Sequence, residues 1–167
     1  MLDQFFSHIS FVDIFNFCVF LAFTICYTYQ LYYVFVVLTR KPKQLVAKKN
    51  HKFAAVISAR NESAVIGDLI HSIKVQNYPT ELIDVFVIAD NCTDNTAEIA
   101  EKAGAIVQVR THPTKKSKGY ALQWMFDRLF KMDKQYDAVC VFDADNLVHP
   151  QFLMEMNNRL CKGDKVI

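Results

Sequence analysis

Glycine and proline are scarce in this 167-residue chain, four of each, which excludes collagen-like and low-complexity classes. Val, Ile, Leu and Phe are too abundant for a disordered chain. The five cysteines (Cys18, Cys26, Cys92, Cys140 and Cys161) are odd in number, form no CxxC pair and mostly sit in apolar runs. A disulfide scaffold is therefore excluded, and reduced thiols in a cytosolic setting are the simplest reading. Positive charge is missing from one end. Residues 1–39 contain no Lys or Arg, and residues 11–38 carry a single charge, Asp13, while holding 10 of the 22 aromatics.

That apolar run exceeds the roughly 20 residues needed to cross a bilayer. A cleaved signal peptide fits it poorly, because no basic region precedes it and no small-residue cleavage site follows. A buried helix of a soluble domain is the alternative, but such helices are seldom apolar all round for so long. Asp13 and Asn16 then lie near one membrane interface, and Tyr27 to Tyr33 approach the other. Arg40, Lys41, Lys43, Lys48, Lys49 and Lys52 follow directly, whereas residues 53–167 carry 13 basic and 15 acidic side chains. The net charge of +2 thus hides a basic run beside an apolar one. The positive-inside rule orients residues 39–167 to the cytoplasm, with a lipid bilayer as one partner. Nucleic acid is not an expected partner, since no basic-aromatic patterning is present. The expected organisation is an N-terminal segment, 1–38, with a membrane helix over about 11–38. A basic juxtamembrane linker, 39–52, follows, and then a folded portion, 53–167.

Short apolar runs and helical periodicities alternate through that portion. Ala54–Ile57, Val85–Ala89, Ala105–Val109 and Ala138–Phe142 predict strands. Val65, Ile66, Leu69, Ile70 and Ile73 recur at helical spacing, as do Leu122, Met125, Phe126 and Leu129. Tyr78-Pro79 ends the first of these helices. Asn95 with Glu98 three residues later suggests a capping box opening a helix from Thr96 to Lys102, ended by Gly104. Pro150 starts a last helix toward Leu160. Four strand–helix alternations with continuously apolar strands indicate an α/β fold, doubly wound on a mainly parallel sheet.

In such sheets ligands sit outside the carboxyl ends of the strands. Three of the four ends are polar here: Ser58-Ala59-Arg60-Asn61-Glu62, Asp90-Asn91 with Thr93 and Asp94, and Asp143-Ala144-Asp145-Asn146. Helix capping accounts for Asp90 or Asp94 singly, but less well for Asp143 and Asp145 together. Two residues apart at a strand end, these two should share a face. A close carboxylate pair wants a cation between it and any anionic ligand, and Mg²⁺ or Mn²⁺ suits it. A DxD alone is common by chance; its place after a buried strand, opposite Asp90, strengthens it. Lys115, Lys116 and Lys118 precede Gly119 and a helix. They form either a solvated basic loop or a phosphate contact at a helix start, and the second is favoured. His51, His71, His112 and His149 lack metal-ligand spacing and read as surface or packing residues, and Trp124 reads as core. Two glycosylation sequons, Asn61-Glu62-Ser63 and Asn91-Cys92-Thr93, would be unused in a cytoplasmic location.

Taken in order, SARNE, VIADNCTDNTAEIA, KSKGYAL and VFDADN resemble the family 2 glycosyltransferases of GT-A (Rossmann-like) fold. The nearest group is the bacterial membrane-anchored one related to cellulose, hyaluronan and poly-N-acetylglucosamine synthases. The resemblance covers about residues 53–167. It implies a nucleotide-sugar donor, with a UDP-sugar favoured, and inverting, metal-assisted transfer to an acceptor hydroxyl. It implies that Glu62 helps hold the base and ribose, that Asp90 contacts the nucleoside, and that Lys118 lies near the base and diphosphate. Asp143 and Asp145 match the metal-binding DxD, with Mn²⁺ or Mg²⁺ as cofactor and Asp145 the more direct ligand. Ser58 stands where the family usually has Pro.

The family's ED or TED motif with the catalytic base, and its QxxRW element, do not follow residue 146. The catalytic residue is thus unassigned and expected beyond residue 167. The expectation is an N-terminal portion that stops before the acceptor half, with Asp164 to Ile167 opening another strand. Two other readings stand beside it. One is a non-catalytic, membrane-bound nucleotide-binding or interaction module. The other is a phosphoryl-transfer enzyme, which is disfavoured because DADN follows the fourth strand rather than the first and no Walker A loop is present. Donor sugar, acceptor and linkage are not legible.

The charge asymmetry generates the first prediction. In inside-out vesicles, membrane-impermeant thiol probes should reach the side bearing Cys92, Cys140 and Cys161, subject to burial. Protease cutting within 53–167 only from the opposite face would reverse the orientation.

Overall fold

The computed structural model describes residues 10–40 and 47–165. Part of the basic linker (41–46) and the last two residues of the expected C-terminal strand opening (166–167) lie outside the described residues. The chain divides into two units, Met1–Gln44 and Leu45–Ile167.

Among its described residues, the first unit contains one helix, α1 (Phe11–Thr39), of 29 residues. At 1.5 Å per residue it is about 43 Å long, more than a bilayer's hydrocarbon core. None of its residues is buried. By length and composition it can cross a membrane. Several of its polar groups are answered within the helix. The Ser10 hydroxyl accepts from the Val12 N–H at 3.3 Å, and the Asp13 carboxylate accepts from the Ser10 N–H at 2.9 Å, closing a capping box. The lone charge of the apolar run is therefore an end cap. Thr24, Thr28 and Thr39 donate their hydroxyls to the carbonyls of Phe20, Thr24 and Phe35, the internal satisfaction that an apolar solvent demands.

The second unit runs β1 (Phe53–Ala59), α2 (Ile66–Lys74), a 3₁₀ turn (Thr80–Leu82), β2 (Ile83–Asp90), α3 (Thr96–Lys102) and β3 (Ile106–Arg110). It continues through α4 (Lys118–Leu129), β4 (Ala138–Asp143) and α5 (Phe152–Lys162). The four strands form one parallel sheet in the order β3-β2-β1-β4. This is the α/β architecture expected from the alternation. Side chains of α2 pack on Ala55, Ile57, Val85 and Val87 on one face. Ala121, Met125 and Leu129 of α4 pack on Ala54, Val56, Phe86 and Ile88 on the other. Trp124 joins the second cluster at its margin, with the Arg128 guanidinium 4.1 Å from its ring centre.

The expectation of strands covered on both faces holds for the central pair only. β3 and β4 are edge strands, and Ile106 and Val109 of β3 are 43% and 67% exposed. An edge has a neighbour on one side, so fewer side chains reach over it. The capping box expected at α3 is also absent. Asn95 makes no side-chain cap bond, and Glu98 instead pairs with Lys102 at 2.6 Å. Asp94 takes over, accepting from the Thr96 N–H at 3.1 Å and from its hydroxyl at 2.5 Å.

His51, read as a surface or packing residue, is buried in a polar network at the amino ends of the strands. Its N–H donates to Tyr78 Oη at 2.7 Å and to Asn157 Oδ1 at 3.0 Å, and its Nδ1 lies 2.7 Å from the same Oδ1. Tyr78 returns its hydroxyl to the His51 carbonyl, and Asn157 Nδ2 donates to the Lys49 carbonyl at 2.9 Å. Residues 49–51 are thereby fastened to α5. Asn157→Ala strands several of these buried groups and should lower the unfolding free energy by about 2–3 kcal/mol. Ile106→Ala, at the exposed edge, should stay within about 0.5 kcal/mol. Urea unfolding measures both.

Candidate functional site

Successive strands step in one direction from β1 to β3, and then β4 lies on the other side of β1. The reversal leaves a crevice between the carboxyl ends of β1 and β4, where Ser58 is in register with Asp143. The polar loops leaving the strands are tied to one another. Asn61 and Asn91 both adopt left-handed backbone (φ 57° and 52°), an uncommon conformation that Asn tolerates better than most residues. Each then accepts a bond from the neighbouring loop. Asn61 Oδ1 takes the Thr93 N–H at 2.8 Å, and Asn91 Oδ1 takes the His112 N–H at 3.0 Å. The Glu62 N–H donates to Thr96 Oγ1 at 2.9 Å, and the Ser63 N–H to Asp94 Oδ2 at 3.3 Å.

Asp90 ends β2, and its side chain is 3% accessible. One carboxylate oxygen accepts from Arg60 Nη2 at 2.7 Å. The other pairs with Arg110 Nη1 and also accepts from Asn91 Nδ2 at 2.8 Å. Both arginines reach onward to the loop before α4. Arg110 Nη2 donates to the Lys115 carbonyl at 2.9 Å, and Arg60 Nη2 to that of Lys116. At the far end of the loop, Lys118 Nζ pairs with Asp143 Oδ1, both groups about half-exposed.

The sequence-derived residues thus fall into connected sets. Asp90, Lys118 and Asp143 are linked through the 111–118 loop, and half-buried Glu62 sits on the β1 loop that Thr96 holds. Asp145 follows in a turn, because β4 stops at Asp143. Extended backbone therefore does not carry both carboxylates to one face as the two-residue spacing suggested. Both are nevertheless exposed, on either side of buried Ala144. Among the described residues, no group of three or more His, Cys, Asp or Glu could hold a metal ion. Two carboxylates suffice for Mg²⁺ or Mn²⁺ only when phosphate and water oxygens fill the remaining positions.

Arg60 and Arg110 are rim residues that sequence reasoning did not single out. The available signal was an acid and a base each ending a predicted strand. The pairing that joins them, Asp90 with Arg110, depends on register.

A sequence profile of the family described as "Glycosyltransferase like family 2" matches residues 51–167. The chain is 32% identical over 105 residues to a probable glycosyltransferase, YdaM, of Bacillus subtilis (strain 168), covering 59% of this chain and 24% of that protein. It is 47% identical over 68 residues to 4,4'-diaponeurosporenoate glycosyltransferase of Staphylococcus aureus (strain USA300), covering 38% and 17%. The matches span a quarter or less of these curated relatives' length. Among solved structures, the fold is similar to that of a mannosyltransferase from Pyrobaculum calidifontis in complex with GDP-Man and Mn²⁺. That match has a TM-score of 0.61 at 18% identity and covers 88% of this chain and 44% of that one. It is also similar to glucosyl-3-phosphoglycerate synthase from Mycobacterium tuberculosis in complex with Mn²⁺, UDP and phosphoglyceric acid. There the TM-score is 0.56 at 24% identity, covering 77% and 47%.

The loop ties set one pKa. The hydrogen bond from the Thr96 hydroxyl, with further bonds from Ser63 and the Thr96 backbone, lowers the Asp94 carboxyl from 3.8 to about 2. A depressed carboxyl contributes stability above its unfolded pKa and loses it as pH falls through the folded one. The Asp94 contribution should therefore be complete above about pH 4 and disappear toward about pH 2. Thr96→Val should return the Asp94 titration toward the ordinary carboxylate range, read by carbon NMR of the side-chain carboxyl.

Proposed function

The chain belongs to the glycosyltransferase-like family 2, and from that membership we propose that it carries the donor-binding half of a metal-assisted, inverting enzyme using a nucleotide diphosphate sugar, with a UDP-sugar favoured. The observation that supports this best is the coincidence of the DxD with the reversal of strand order. Asp143 ends β4 beside β1, at the crevice where such sheets take ligands.

Asp143 and Asp145 would hold Mn²⁺ or Mg²⁺. The donor set fits such a hard cation, being exposed carboxylate oxygens, and Asp143 already attracts an ammonium group. The bound ion would supply positive charge against the diphosphate leaving group. Lys118, half-exposed at the start of α4, would add its own charge to the diphosphate. Glu62 and Asp90 would serve the nucleoside side. Because both Asp90 oxygens are engaged, a nucleoside contact there would exchange with the half-exposed Arg60 rather than with Arg110. The reaction joins the acceptor oxygen to the anomeric carbon while the bond from that carbon to the diphosphate oxygen breaks, and the acceptor proton passes to a base. None of the residues assigned here is that base.

In this reading α1 spans the bilayer, residues 39–52 form the juxtamembrane linker, and residues 53–167 work in the cytoplasm. The six basic residues between 40 and 52 support that orientation.

Calorimetric titration of UDP tests the metal assignment. Binding should require Mn²⁺ or Mg²⁺, and Asp145→Asn should weaken it at least about tenfold, the scale of one charge-assisted contact. Equal UDP affinity in EDTA and in Mn²⁺, unchanged by Asp145→Asn, would sink the assignment.

A further inference from the structure

We propose that Arg110 is a positioning residue: anchored on buried Asp90, its guanidinium holds the 111–118 loop across the strand ends through the Lys115 carbonyl and so sets the loop's lysines in place. The proposal rests on the glycosyltransferase reading only for what the loop binds.

The argument begins with register. Asp90 and Arg110 are directly paired on neighbouring parallel strands. They share the sheet face that carries Phe86 and Ile88 under α4. Their side chains are 3% and 5% accessible, so the pair sits in a low dielectric where removing either charge would strand the other. A guanidinium is a rigid fork with five donors. Here Nη1 meets the carboxylate while Nη2 reaches the Lys115 carbonyl at 2.9 Å. Arg60 repeats the arrangement from the β1 side, joining the same carboxylate to the Lys116 carbonyl. Its side chain is 42% exposed, which makes Arg110 the stronger anchor of the two.

Apart from the His112 N–H held by Asn91 Oδ1 at 3.0 Å near its start, the loop has little else to fix it. Residues 111–117 form no helix or strand. Ser117, the N-cap of α4, makes no side-chain cap bond. Within the loop, His112 Nδ1 accepts from the Thr114 and Lys115 N–H groups at 3.3 and 3.0 Å, which shapes the turn without attaching it to the sheet. Two adjacent backbone carbonyls held by two arginines on one buried carboxylate therefore fix the backbone at Lys115 and Lys116, just ahead of Lys118 at the start of α4.

A residue needed only to neutralise Asp90 could be lysine. A clamp could not, because an ammonium lacks the planar fork that spans carboxylate and carbonyl. Arg110→Lys separates the two roles. The full chain in nanodiscs would be treated with trypsin, cleavage after Lys115, Lys116 and Lys118 followed by mass spectrometry, and UDP with Mn²⁺ titrated by calorimetry. Arg110→Lys should keep the melting temperature close to wild type while cleavage at those three sites rises at least about tenfold. Cleavage elsewhere should be unchanged, and UDP affinity should fall by a similar factor. The double variant Asp90→Asn with Arg110→Gln removes both buried charges together, and loop cleavage should rise in it as well, so the test stands even if Arg110→Lys folds poorly. Wild-type cleavage rates in both variants would overturn the clamp. Accelerated cleavage in protein whose wild type binds no UDP would uphold the clamp and overturn the donor reading of the loop.

Discussion

A carboxylate buried at the end of a central strand must be met by positive charge, and in this fold the answer to Asp90 organises the rim. Burying an isolated carboxylate costs several kcal/mol even after relaxation, so the chain brings in two arginines from different strand ends. Each uses its remaining donors on backbone that has no partner of its own, and a solution to a desolvation problem becomes a scaffold. The left-handed Asn61 and Asn91 belong to the same scheme, turning the β1 and β2 loops so that each accepts a bond from its neighbour. The outcome is three loops cross-linked by short polar contacts above a dry sheet.

The sheet beneath determines which loops can meet. β1 and β2 are central, with buried side chains on both faces, and their polar exits lie side by side. β4 comes next to β1 only because the chain reverses direction across the sheet after β3. That single topological step brings Asp143 toward the α4 start, where Lys118 reaches it. Carboxylates from two distant segments, 90 and 143, thereby face one basic loop. Family 2 membership and the strand reversal are independent observations, and both direct attention to this crevice.

Much of this was legible in the amino-acid order. Continuous apolar runs marked the strands to within a residue or two, and the helical spacing of Leu69, Ile70 and Ile73 marked α2, because burial on a regular element writes its period into the chain. What was not legible depended on partners distant in sequence. Asp90 and Arg110 stand 20 residues apart and meet only through register. His51 gave no local sign that Asn157, 106 residues away, would bury it. The Asn95–Glu98 pattern failed for a local reason: Asp94, one residue earlier, offers a charged acceptor to the same helix start, while Lys102 draws Glu98 along the helix. The exposed side chains of β3 could not be foreseen either, since an apolar run does not say whether its strand will have two neighbours or one.

Two of the attachments of the 111–118 loop differ in kind. Asp90 with Arg110 lies out of water, where a charge pair is held by the cost of leaving either partner alone. Lys118 with Asp143 is half-exposed at both ends, and such surface pairs contribute about 0–1 kcal/mol and weaken with salt. One end of the loop is thus anchored and the other exchangeable. A stronger competitor for the Asp143 oxygens, or a more anionic partner for the Lys118 ammonium, has less than about 1 kcal/mol to overcome at that contact. The anchored end keeps the loop's backbone over the strand ends while this happens. An arrangement in which the buried pair were the labile one would lose the loop's hold on the strand ends each time an ionic ligand arrived.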